Sequence, residues 1–186
     1  MVDPALGQKL SECGRALAMA TVPAITSPAG VHVPTMIAGC ARMAGTYLFR
    51  SFNLQVQDAV PGQVALSAEA AAHSPALLQT CAGVLKELGT AIASAPTGPL
   101  NDKKHRPTQD FLQTQRILEP VFAPLQGKFA LNNRQMAHAA AIGTALLIHH
   151  FAKHLDPNVG FGVAAFAFTE GSRTVPATHD QGGSAA

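Results

Sequence analysis

Arg42 and Arg50 lie in the stretch TMIAGCARMAGTYLFRSFN, residues 35–53, with Thr46 midway between them. Guanidinium groups recognise carboxylates and phosphates through paired N–H donors, and a hydroxyl between two of them can complete an anion site. At about 100° per residue, Thr35, Gly39, Arg42, Thr46, Arg50 and Asn53 share a helical arc of about 80°. Nearly every other position of the stretch is apolar. Both arginines therefore stand on one narrow polar stripe of an otherwise buried helix.

Three arrangements fit such a stripe. It can be a solvent-facing edge, with the arginines satisfied by Asp58, Glu69 or Glu119. It can line a groove in which Arg42, Thr46 and Arg50 bind a small anion, the two forks being roughly 12 Å apart. It can also be a charged contact with a second subunit. A solvent edge would make Arg42→Gln or Arg50→Gln cost no more than about 0.5 kcal/mol, with any modest loss falling on Arg42.

The second group is histidine. LLIHHFAKHLDP places His150 and His154 one turn apart on one helix face, the spacing at which two imidazoles can meet one ion. No glutamate of an HExxH motif separates them, and Asp156 and Glu170 are the only nearby acids able to complete a ligand set. No metal and no cofactor is expected, and His150 and His154 remain weak metal candidates. GFGVAA from Gly160 imitates a dinucleotide fingerprint, but a helix precedes it and too little chain follows to build the unit. There is no GxSxG elbow, no Walker loop and no CxxC pair.

Cys13, Cys40 and Cys81 are odd in number, widely spaced, and set in apolar helical patterns. They fit core thiols of a reducing cytoplasm. The apolar ALAMATVPAI resembles a signal peptide, but Asp3, Lys9, Glu12 and Arg15 precede it, and Leu6, Leu10, Cys13 and Leu17 recur at helical spacing. Residues 4 to about 20 therefore read as a core helix. His138, His149 and His150 interrupt the longest apolar run, so no membrane span is expected.

The elements that must position these groups are helical. Helix starts are expected at Asp3-Pro4, Ser74-Pro75 and Asp156-Pro157. The second of these helices should end near 94, and a helix capped by Asn133 should run to about 155. Pro120 and Pro124 should split the segment from 111 into two short helices. Residues 54–66, around Pro61-Gly62, suit a connector or a short β-hairpin. The expected fold is all-α, a compact bundle of about six helices around a central small-residue-rich helix. One domain should span 1–171, followed by a poorly ordered tail, 172–186.

Charged residues make up only 13% of the chain, against roughly 25% in ordinary domains. So little charge favours a homo-oligomer, most simply a dimer formed through alanine- and glycine-rich helix surface near Ala41 and Gly45. The net charge of +2 and the short Lys103–Arg106 run are too little for phosphate-backbone binding, so no nucleic acid is expected. The leading expectation is a non-catalytic homodimeric scaffold. The alternative is a small-anion-binding module or enzyme built on the arginine stripe.

Overall fold

The computed structural model describes residues 3–28, 30–54, 60–92 and 102–177. Six α-helices account for most of them: α1 Pro4–Ile25, α2 Val33–Ser51, α3 Ala68–Glu87, α4 Phe111–Lys128, α5 Asn133–His150 and α6 Pro157–Arg173. A 3-10 turn covers Lys103–His105. The fold is an all-α bundle. Among the described residues, no helix is long and apolar enough to cross a membrane.

The helix starts follow capping chemistry. Asp3 accepts from Ala5 N and Asp156 from Asn158 N, each just ahead of a proline. Asp110 with Gln113 and Asn132 with Gln135 form reciprocal capping boxes at the starts of α4 and α5. The cap of α5 is thus Asn132, one residue before the expected Asn133.

Proline placement explains where the expected boundaries moved. α3 begins at Ala68, not at Ser74-Pro75. Ser67 caps it, while the Ser74 hydroxyl donates to Ala70 O inside the helix. α1 continues through Pro23 to Ile25, and α4 is one helix containing both Pro120 and Pro124. A proline inside a helix frees the carbonyl four residues earlier. Pro23, Pro75, Pro120 and Pro124 are all exposed, and so are Met19, Ala71, Arg116 and Pro120, which carry the freed carbonyls. Water can solvate each gap, so the helices persist.

The helix ends also have local causes. α3 stops at Glu87 because Gly89 adopts φ +71°, letting Thr90 N reach Leu85 O and Gly89 N reach Lys86 O. α4 ends the same way, with Leu131 N on Gln126 O and Ala130 N on Gly127 O, but alanine holds the left-handed position at φ +46°. An L side chain there costs roughly 1–2 kcal/mol. Ala130→Gly, at an exposed site, should therefore raise stability by about 0.5–1 kcal/mol after the entropy of a freer unfolded chain is deducted. Urea melts of the two proteins check this, and an unchanged or lower midpoint would contradict it.

α2 forms the centre of the bundle, as expected of the small-residue helix. Sixteen of its 19 residues are buried, and it packs most closely against α6 and α5, with α4, α1 and α3 completing the enclosure. Two glycine crossings set these distances. A Cβ on Gly45 would lie 2.6 Å from both Phe168 O and Ser172 N of α6, and one on Gly171 would press on Arg42 O. Likewise a Cβ on Gly14 would lie 2.7 Å from Ala139 O, and one on Gly143 2.8 Å from Gly14 O, where α1 meets α5. Ala41 is fully buried in the same core. The small-residue surface of α2 is thus covered by helices of its own chain.

The expected hairpin over 54–66 includes 55–59, which lie outside the described residues. In its described part, Gln63 N bonds Val60 O around Pro61-Gly62, but the chain then pairs elsewhere. Gly62 N donates to Val175 O, Val175 N to Gln63 O and Ala65 N to Arg173 O, with Val64 opposite Thr174. Gly171, the expected end of the domain, is inside α6. Thr174 and Val175 beyond it are buried, and the rest of the expected tail, 178–186, lies outside the described residues.

Candidate functional site

The polar stripe of α2 is an internal charge cluster. Arg42 is 5% exposed. Its Nε donates to Glu170 Oε2 at 2.6 Å, and its Nη1 donates to Gln109 O at 2.6 Å and to Thr114 Oγ1 at 3.0 Å. The Thr114 hydroxyl itself donates to Asp110 O, so the N-terminal turn of α4 is locked onto the guanidinium. Thr46, fully buried, donates to Arg42 O at 3.0 Å. Its hydroxyl serves its own helix.

Arg50 is held differently. It forms a fork with Glu119, Nη1 to Oε1 at 2.6 Å and Nη2 to Oε2 at 3.0 Å, and its guanidinium lies 5.6 Å from the centre of the Tyr47 ring. Gln115, one turn before Glu119 and also buried, donates to Glu119 Oε2 and grips the backbone of Ala177 from both sides: its Nε2 donates to Ala177 O and its Oε1 accepts from Ala177 N. The cluster therefore joins α2, α4, α6 and the segment that follows α6. The Tyr47 hydroxyl beside it is buried with no hydrogen-bond partner among the described residues. Burial, and then the Glu119 carboxylate, push its pKa up.

Of the acids expected to satisfy the arginines, Glu119 does so for Arg50. Glu69 is in the first turn of α3, and Asp58 lies outside the described residues. Arg42 is paired with Glu170, which the sequence suggested only as a possible metal ligand. The stripe is not a solvent edge: a solvent edge leaves the guanidinium in water, whereas Arg42 is enclosed. An anion approaching Arg42, Thr46 and Arg50 would meet forks that already carry carboxylates. The missed partners had a signal of their own. Thr114, Gln115 and Glu119 share an arc of about 140° with Phe111, Leu118 and Phe122 on α4, placing polar residues on an apolar face.

The histidines separate. α5 ends at His150, and turns follow, so the helical register that would pair His150 with His154 is lost. Both are exposed and flank Phe151, with ring centroids 4.8 and 6.3 Å away. They line different depressions, His150 beside Thr90 and His154 beside His32 and His105. Among the described residues, no group of three or more His, Cys, Asp or Glu is placed to hold a metal ion.

The cysteines are core residues. Burial pushes the Cys13 and Cys40 thiols up to about 11 and raises Cys81 further. Cys40 Sγ donates to Ala140 O, and Cys13 packs against Met136 Sδ at 3.9 Å. Thiols held protonated in this way are poor nucleophiles and poor metal ligands. Comparison with known protein families, curated proteins and solved structures finds no match to this chain.

Proposed function

We propose that the protein is a non-catalytic helical scaffold that acts as a homodimer, its two copies meeting along residues 60–66. The carrying observation is an apolar edge held rigidly at the surface. Val60, Val64 and Leu66 are 61%, 63% and 81% exposed, yet the segment is tied by backbone hydrogen bonds to the chain after α6. Val64 faces Thr174 in an antiparallel bridge whose bonds are made by its neighbours, Ala65 and Gln63. In that arrangement the N–H and C=O of Val64 itself point to the far side.

An outward edge flanked by apolar side chains is a template for another strand. A second copy of the same segment satisfies it through an isologous, antiparallel contact. The charge content of 13% supports assembly through neutral surface. The non-catalytic part rests on the engaged state of the reactive groups: both arginines are bonded to the chain's own carboxylates, and the thiols are held protonated.

Sedimentation equilibrium at micromolar concentration should give a dimer. Val64→Lys combined with Leu66→Lys should give a folded monomer, because like charges brought opposite one another across the two-fold axis oppose strand addition. A wild-type monomer, or a dimer untouched by the two substitutions, would refute the proposed interface.

A further inference from the structure

Where α2 begins, three separated segments meet around an open cleft of about 780 Å³, within the range of about 300–1,000 Å³ typical of small-molecule sites. The α1–α2 connection contributes His32, the 3-10 turn Lys104 and His105, and the α5–α6 connection Phe151, His154 and Asp156. The lining mixes apolar side chains such as Val31, Val33 and Leu155 with four basic ones, His32, Lys104, His105 and His154. Its carboxylate, Asp156, already accepts from the backbone N of Asn158 at 2.8 Å and from its side chain at 3.0 Å. Asp102 outside the lining holds Lys104 at 3.1 Å, but this pair is 47% and 72% exposed and exchanges readily with water and ions.

The cleft is built as well as charged. His32 Nδ1 lies 2.7 Å from Thr35 Oγ1 and its Nε2 lies 3.2 Å from Lys104 O, while Thr35 Oγ1 accepts from Thr108 N at 2.9 Å. The imidazole of His32 is thereby a strut between the start of α2 and the 3-10 turn, holding Lys104 and His105 at the rim. α2 begins here without a side-chain cap, and α6 also begins at this cleft. The positive end of the α2 dipole favours an anion in this space, whereas that of α6 is already met by the Asp156 carboxylate.

We infer that this cleft is a binding site for a small multivalent oxyanion, of the phosphate or polycarboxylate class, contacted by Lys104, His105 and His154. The site is independent of the proposed dimer edge. Lys104 supplies a positive charge, Asp156 opposes it, and the imidazoles of His105 and His154 offer ring N–H donors.

The test is isothermal titration calorimetry of the full chain at fixed ionic strength. Sulfate should bind saturably near pH 6. Inorganic phosphate and citrate, titrated separately near pH 6, assign the class by whichever binds tighter. Lys104→Met and His154→Gln, both at exposed positions, should each weaken binding by about tenfold at an unchanged melting temperature. Lys153→Met, outside the cleft, should leave it intact. No saturable binding of any of the three anions near pH 6, or binding that survives the Lys104→Met/His154→Gln double variant, would overturn the inference.

Discussion

Gly45→Leu should unfold the protein at room temperature or lower its stability by about 3 kcal/mol or more. Overpacking of a core costs about 1–3 kcal/mol when neighbouring side chains can yield. Here the obstacles are backbone atoms of α6, with Phe168 O and Ser172 N both 2.6 Å from the position of a Cβ. Even Gly45→Ala should destabilise, although alanine is favoured over glycine in a helix by up to about 1 kcal/mol. Gly83 supplies the opposite sign. It lies inside α3 with nothing within 4 Å of its Cβ position, so Gly83→Ala should stabilise by about 0.5–1 kcal/mol. Denaturant melts of the three variants decide the matter, and a Gly45→Ala protein as stable as Gly83→Ala would mean that α2 and α6 are not in backbone contact.

Arg42→Gln should cost about 3–5 kcal/mol, the range for breaking a buried pair from one side. The substitution strands Glu170 and leaves the Gln109 carbonyl and the Thr114 hydroxyl without their common donor. Arg50→Gln should cost less, about 1–3 kcal/mol, because the Arg50 side chain is 19% exposed and water partly screens its pair. Both exceed the change of about 0.5 kcal/mol that a solvent edge would show. Urea midpoints at matched m-values provide the comparison.

The arginines illustrate what a linear sequence can reveal. Their common arc on an apolar helix was legible from spacing alone, and it correctly separates α2 from an ordinary surface helix. Glu119 was one of three acids, with Asp58 and Glu69, that the sequence offered as partners. Glu170 was not, because the contact spans 128 residues and depends on how α6 lies along α2. Local signals bind a residue to its own helix face; they carry no information about which other helix that face meets.

The same limit governs the boundaries and the cleft. Proline chemistry alone predicts a break at Pro120 and Pro124, and only the exposure of that face, a tertiary property, shows that the freed carbonyls reach water. His32, Lys104, His105 and His154 come from three distant segments. Read singly, each is an ordinary surface residue, and the Lys103–Arg106 run is too short to signal phosphate-backbone binding. Helix existence, the all-α class and the central position of α2 depend on short-range periodicity, which is why they were accessible.

The most direct test of the internal charge cluster is a double-mutant cycle on Arg42 and Glu170. Stability would be measured for the wild type, Arg42→Gln, Glu170→Gln and the double variant under one set of denaturant conditions. If the two side chains form the enclosed pair that joins α2 to α6, the single losses will not add, and the coupling should be at least about 1.5 kcal/mol, with the double variant losing less than the sum of the singles. Strictly additive losses, with a coupling below about 0.5 kcal/mol, would contradict the pair and return Arg42 to a role that Glu170 does not share.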